Sequence, residues 1–427
     1  DHFGRYSSYA KEWDEICYNA PYYLPFRVSG NDRGDKAPST GVTFSYWYND
    51  VLHTKAYDPA TDPYNDGWDN GGFDTIPQRA VSKNVMTVGA VDDAVLNGSR
   101  YLPEATMTNF SGWGPTDDGR IKPDVVGNGK SLYTTDGDHN TDYETVSGTS
   151  LSTPNISGSA ILLIEYYGEL FTGQAMRAST LKGLIIHTAD DLGNPGPDYK
   201  YGWGLMNTEA AAALIKEHKD FPSDNMIVEA ALDTGNTGDT YAVDWDGTGE
   251  FRATLCWTDP PGTESEVLDD TSSKLVNDLD LRITGPGGSP TYNPYTLNPA
   301  NPSVAATTGD NTLDNVEQVY IPATGLAGTY TVKVSYIGTL TNGTQAYSLI
   351  TAADEYVCCP TTISSYPYAE GFEDGFGYWV NADGDDIDWT RHTGSTPSTN
   401  TGPSSAYEGS YYLYIESTSP NNPDKIA

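Results

Sequence analysis

The chain has 427 residues, with 59 Asp and Glu against 23 Lys and Arg, a formal net charge of −36. A surface this acidic repels nucleic acid and anionic membranes, which argues against both as partners, and no apolar run is long enough to span a bilayer. The length speaks for two or three domains, 44 Gly and 27 Pro for many turns and therefore many strands, and 37% hydrophobic residues for folded structure over disorder.

In chain order, 7–19 has amphipathic helix character, with Tyr9, Trp13, Ile16 and Cys17 able to share one face. Tyr23 to Val28 reads as a strand ending at Ser29-Gly30-Asn31. A Gly/Asp/Asn-rich insertion, 58–74, follows; its carboxylates lack the fixed spacing of a calcium loop and read as solvated. Val85 to Val91 is the next strand, and Lys122-Pro123-Asp124-Val125-Val126-Gly127 opens a short one. An apolar helix runs from Ile156 to Tyr167, a second buried helix from Ala175 to Ala189, and an Ala-rich one from Thr208 to Lys216. Cys17 and Cys256 sit in apolar runs and read as buried thiols. Cys358 and Cys359 are adjacent and offer no zinc-ligand spacing.

The chemistry gathers at Val146-Ser147-Gly148-Thr149-Ser150-Leu151-Ser152-Thr153-Pro154. Gly148 permits a turn, and Ser150 falls at a helix start, where free N–H groups and the helix dipole favour developing negative charge. Pro154 reads as a first-turn residue. On the residues alone, Ser150 is equally an N-cap, and Asn31 equally a turn residue.

Gly148-Thr149-Ser150-Leu151-Ser152-Thr153-Pro154 resembles the Gly-Thr-Ser-Met-Ala-x-Pro motif of the subtilisin-like serine peptidases, departing from it at Leu151 and Ser152. Ser29-Gly30-Asn31 resembles the family's Ala-Gly-Asn. Asn109 to Thr116, Lys122 to Gly127 and Tyr201 to Asn207 resemble further family segments. The resemblance implies an α/β fold, the C-terminal portion of a parallel-sheet three-layer domain. It also implies that Ser150 is the acylating serine and that Asn31 and the Ser150 N–H are the oxyanion donors. Acylation needs a base and an orienting carboxylate. None of His2, His53, His139, His187, His218 and His392 has the family's His-Gly-Thr-x-Val setting, and no strand ends in its Asp-x-Gly. In the family both motifs precede the Asn, so the expectation is that they lie on an upstream segment. A triad with acid and base after the serine, Asp190 and His218, fails because Gly-x-Ser-x-Gly is absent.

After Lys219-Asp220-Phe221-Pro222 the composition turns to short strands, the best being Phe251–Trp257, Leu279–Ile283, Gly328–Tyr336 and Gln345–Ala352, which argues for a sandwich or jelly roll. Thr254 to Pro261, Leu275 to Leu281 and Asp314 to Glu317 resemble the β-barrel that follows the catalytic domain in an alkaline branch of the family. That branch often binds calcium, and Asn277, Asp278 and Asp280 are the hard-oxygen candidates; the other reading is solvent-facing Asp residues. Gly371 to Asp374, Asp385 to Arg391 and Gly409 to Glu416 resemble the opening of a MAM domain, an extracellular β-sandwich.

The expected organisation is 1–221 peptidase, 222–352 β-barrel or jelly roll, 353–370 linker and 371–427 the start of a MAM-like sandwich. The expected function is a secreted serine endopeptidase acting on proteins or peptides. Its chemistry asks for no cofactor, a structural calcium is the expected ion, Glu373 and Asp385 offer a further metal place in the MAM-like segment, and that segment faces extracellular or cell-surface ligands. Residues 1–427 alone should lack an activated base. The alternative is an extracellular adhesion protein that keeps a degenerate peptidase fold.

Overall fold

The computed structural model describes residues 3–48, 51–62, 71–137, 139–323, 325–353, 371–373, 389–397 and 403–415. Asp1–Tyr356 form one compact unit and Val357–Ala427 another.

The first helix, α1, spans Ser8–Asn19, but its buried face is Ala10, Asp14 and Cys17, while Tyr9 and Ile16 are exposed. The expected face is therefore rotated. Asp14 is the cause: it is wholly buried, accepting the Tyr6 hydroxyl at 2.7 Å and the Asn84 N–H at 2.9 Å. A charged residue is thus part of the packed side.

Strand β1 is Phe26–Val28, shorter than expected because Pro25 cannot donate to a ladder. A hairpin, β2 (Thr43–Tyr48) with β3 (Val51–Ala56), follows, and β3 is exposed throughout. Next come β4 (Met86–Val91), buried at every residue, and β5 (Val125–Asn128). The three strands β1, β4 and β5 form a parallel sheet in the order β1-β4-β5, with Val28 opposite Val88 and Val88 opposite Val125. A second hairpin, β6 (Leu132–Thr135) with β7 (Tyr143–Val146), leads into α2 (Thr149–Leu170). Pro154 is the sixth residue of α2, not a first-turn residue. Its missing N–H is the one that would have bonded the Ser150 carbonyl four residues back.

Helix α3 (Ala178–His187) is buried at every position. Helix α4 (Thr208–Asp220) is capped by Asn207, whose side chain accepts from the Ala210 N–H at 3.0 Å.

Beside a short ladder of Tyr295–Thr296 with Thr307–Thr308, the strands that follow are β8 (Ile227–Asp233), β9 (Gly238–Trp245), β10 (Phe251–Cys256), β11 (Asp278–Thr284), β12 (Thr291–Tyr292), β13 (Val316–Ile321), β14 (Gly328–Ile337) and β15 (Thr344–Ala352). They make two antiparallel sheets, ordered β8-β15-β10-β13 and β9-β14-β11-β12. Leu255, Val319 and Leu349 of the first share one core with Leu281, Val332 and Val334 of the second. The other face of the first sheet points the opposite way. Its Cys256, Val316 and Ile350 join Leu181, Leu184 and Ile185 of α3 in the core of the α/β part. This sheet is why α3 has no solvent face.

A buried ion pair fastens the same junction. Lys83 and Asp259 are both 0% exposed and in direct contact. The Lys83 ammonium also donates to the Pro260 and Lys274 carbonyls at 2.6 and 2.8 Å.

In the second unit, β16 (Thr390–Thr393) pairs with β17 (Tyr411–Tyr414). Glu373 accepts from the Ser410 and Tyr411 N–H groups at 2.6 and 2.9 Å. Most of 353–370 and 371–427 lies outside the described residues, including Asp385.

Candidate active site

Strand β1 delivers Asn31. Ser29, at its end, is buried, and its hydroxyl meets that of Ser111 at 3.2 Å, which gives the Ser-for-Ala departure a partner. Gly30 then adopts φ 93°, a left-handed value that favours glycine and turns the chain out of the sheet. Asn31 follows, exposed, with its Oδ1 accepting from both the Thr149 N–H and the Thr149 hydroxyl at 2.9 Å. Because a backbone N–H can only donate, the amide oxygen must face Thr149, and Nδ2 must face away.

Strands β4 and β5 set the depth of α2. A Cβ on Gly129 would come within 2.6 Å of the Ala90 Cβ and 2.9 Å of the Gly148 carbonyl oxygen. The bare backbone there lets the helix start press against the sheet, where the Gly148 N–H donates to the Gly129 carbonyl at 2.8 Å. Ser152 is buried and its hydroxyl donates to the Gly89 carbonyl at 2.7 Å, so this second departure from the family motif adds a tie to β4.

Ser150 is the second residue of α2 and is exposed, while Thr149 beside it is wholly buried. Of the first-turn N–H groups, that of Thr149 goes to Asn31, and those of Leu151 and Ser152 go to the Gly148 carbonyl. Among the described residues the Ser150 N–H meets no backbone or side-chain acceptor. A Cβ on Gly148 would lie 3.6 Å from Asn31 Nδ2 and 3.7 Å from the Ser150 nitrogen. The two donors therefore lean on one small space, and the missing side chain of Gly148 leaves it open. Such a space suits a single oxygen carrying negative charge, beside an exposed hydroxyl. Thr149, which fixes the Asn31 amide, went unremarked in the sequence; the only signal for it was its place in the motif.

Around this space, Arg33 donates to the Ser111 carbonyl at 2.7 Å and stacks over Trp113 at 3.9 Å. Asp32 is half-shielded, and burial, with Asp35 nearby, raises its carboxyl above the ordinary range.

The described histidines of the first unit have partners other than Ser150. His187 is wholly buried in α3, 2.9 Å from the Thr254 hydroxyl, and burial next to Arg252 pushes its ring well below the ordinary value. His218 stacks on Phe171, and burial lowers it too. His139 is exposed and contacts Asp142 at 2.8 Å on the β6–β7 turn. His53 stacks on Tyr46 in the β2–β3 hairpin, and His392 lies in the second unit. His2 is outside the described residues. No hydrogen bond joins any described histidine to Ser150. Asp124 is buried between Lys122 at 2.6 Å and Lys182 at 3.0 Å, a structural pairing.

The residues of the expected calcium set, Asn277, Asp278 and Asp280, have partners within the protein. The Asn277 amide is spent inside the fold: its Nδ2 donates to Gln345 Oε1, and its Oδ1 accepts the Thr341 N–H, both at 2.7 Å. Asp280 pairs with Arg282 at 2.9 Å, and Asp278, half-buried beside it, is raised to about 6 by burial and by Asp280. A cation, Arg282, already stands among these carboxylates. Carboxylates converge instead at Asp74, Asp117 and Asp269, whose oxygens lie within 4.8 Å of one another. Burial and mutual repulsion raise Asp74 and Asp117 to about 7.

Comparison with known proteins agrees with the parallel sheet and the serine-bearing helix. Residues 29–204 match the profile Peptidase_S8, the Subtilase family, and the parallel sheet with its helices is that of a subtilisin-like α/β fold. The chain is 30% identical over 154 residues to the serine protease AprX of Bacillus subtilis, covering 33% of each. It is 32% identical over 143 residues to subtilisin DY of Bacillus licheniformis, covering 34% of this chain and 42% of that protein. It is 26% identical over 217 residues to the serine protease/ABC transporter B family protein tagA of Dictyostelium discoideum, covering 43% of this chain and 12% of that one. The chain thus spans less than half of the length of each of these relatives. The solved self-cleaved protease domain of PatA aligns at 19% identity and a TM-score of 0.33, over 51% of this chain and 58% of that one.

Proposed function

We propose that this chain belongs to a secreted serine endopeptidase that cleaves peptide bonds through an acyl-enzyme on Ser150. One observation carries the reading: Asn31 Nδ2 and the Ser150 N–H, both unspent, share the space above Gly148 beside an exposed serine. When the Ser150 oxygen attacks a peptide carbonyl, its proton passes to a general base and the carbonyl oxygen becomes an anion. The two donors stabilise that anion more than the neutral carbonyl, which lowers the barrier to the chemical step. Base and orienting carboxylate belong, on the family resemblance, to polypeptide that precedes Asn31 in the complete enzyme. Residues 222–352 serve as a support packed under α3, and the MAM-like segment contacts extracellular ligands.

A fluorophosphonate probe tests this directly. In the chain extended by whatever its reading frame encodes ahead of Asp1, labelling should be rapid and should vanish in Ser150→Ala. In residues 1–427 alone it should be far slower, for want of an activated base. Equal labelling of the Ser150→Ala protein, or none in the extended chain, would remove Ser150 from the chemistry.

A further inference from the structure

Asn31 is exposed at the tip of a loop, and so is Asp32 beside it. Loop tips are where a backbone moves most, yet an oxyanion donor acts only while it is held in place. The Thr149 bonds fix the amide head of Asn31. What fixes the main chain beneath that head is the segment 108–113. On the near side, the Gly30 carbonyl accepts from the Gly112 N–H at 3.0 Å. The Ser111 hydroxyl that meets Ser29 also accepts the Ala90 N–H at 2.9 Å, which ties this side to β4. A Cβ on Gly112 would run into the Ser29 carbonyl oxygen, so only a bare residue lets the two segments touch.

On the far side stands Arg33. Its Nε donates to the Ser111 carbonyl at 2.7 Å and its Nη2 to the Thr108 carbonyl. Its guanidinium lies flat against the Trp113 ring, and its stem passes Gly72, where a Cβ would fall 3.2 Å from both Cγ and Cδ. A Cβ on the next residue, Gly34, would fall 2.9 Å from the Asn109 carbonyl oxygen. Beyond it, 35–42 belong to no helix or strand, so Arg33 is the outer tether of the Asn31 loop. The chain carries 59 acidic residues, yet among the described residues Arg33 joins no ion pair. Its planar fork goes to two main-chain carbonyls of one segment and its face to an indole, a set of contacts that fixes position and that a lysine cannot reproduce.

We infer that Arg33 is a positioning residue for the oxyanion donor: by clamping the main chain at 108–111 it keeps the exposed Asn31 loop where Nδ2 faces the space above Gly148. The catalytic consequence rests on the peptidase reading above; the clamp itself is tested apart from it.

The test uses Arg33→Lys, which keeps the charge, and Arg33→Met, which keeps an unbranched stem. Hydrogen exchange is read residue by residue in residues 1–427, with no general base required. The Thr149 N–H, whose acceptor is Asn31 Oδ1, should exchange at least about 10-fold faster in both variants. The Gly148 N–H, whose acceptor is the Gly129 carbonyl, should exchange as in the parent. Unchanged exchange at Thr149, or equal acceleration at both positions, would overturn the inference. In the upstream-extended enzyme, kcat on a peptide should fall about 10-fold in both variants, with KM within about twofold. Parent-like kcat in Arg33→Lys would assign the role to charge and overturn placement. Faster Thr149 exchange without fluorophosphonate labelling of Ser150 in the extended parent would leave the clamp standing and defeat the peptidase reading; labelling with unchanged exchange would do the reverse.

Discussion

An Asn31→Asp substitution keeps the oxygen that accepts from the Thr149 N–H and hydroxyl, both 2.9 Å away, and exchanges only the Nδ2 donor for a second oxygen. The anchor survives and the oxyanion donor is lost. In the upstream-extended enzyme, kcat should therefore fall by about 10²–10³, or about 3–4 kcal/mol of transition-state stabilisation, with KM little changed. Stability should stay within about 0.5 kcal/mol of the parent. Asn31→Leu removes both jobs. It should lose as much kcat and also orphan two polar groups of Thr149, a residue that is 0% exposed. At about 1–3 kcal/mol for each unsatisfied buried group, that is about 2–6 kcal/mol of stability. Peptide-hydrolysis kinetics and urea midpoints of the two variants give all four quantities. A folded Asn31→Asp enzyme with kcat within about threefold of the parent would refute the donor role. An Asn31→Leu protein as stable as the parent would refute the anchoring.

Gly148→Ala would place a methyl 3.6–3.7 Å from both donors; fluorophosphonate labelling of the extended enzyme should slow by at least about 10-fold as the anion space fills. Lys83→Met would strand Asp259, wholly buried at the junction of the α/β part and the sandwich, and should cost about 3–5 kcal/mol by urea unfolding. Asp74 and Asp117 titrate at about 7 in the folded chain against about 3.9 when unfolded, so they hold protons that the unfolded chain releases. Their contribution is full below pH ~4, declines as pH rises toward ~7 and is gone above it; thermal midpoints at pH 5 and 8 should lie closer together in Asp74→Asn/Asp117→Asn than in the parent.

The site was legible because its motifs are short and their geometry local. Gly148 to Pro154 announces a helix start, and Ser29-Gly30-Asn31 a strand end, so each could be placed without knowing what lay between. What joins them was not legible. The bond from Thr149 to Asn31 spans 118 residues and depends on two strands and two glycines setting the depth of α2. The face of α1 was misread because one buried carboxylate, Asp14, inverts the pattern that polarity suggests. Asn277 stands among acidic neighbours in the sequence, and only the fold reveals that its amide bonds Gln345 and Thr341. Strands β8 and β9 escaped notice among the stronger ones, and Glu229 in β8 has a partner, Arg177 at 3.3 Å, that no local pattern announces.

Helix α3, enclosed at every residue, bears on how such a chain can be shuffled. The Subtilase match ends at 204 and the composition changes at about 222, so a gene cut there looks like a clean exchange of modules. It is not one. Leu181, Leu184 and Ile185 would lose the Cys256, Val316 and Ile350 they pack against, and Lys83 would lose Asp259. The piece that can be inherited, transplanted or expressed without a wet core runs through the sandwich to the end of β15.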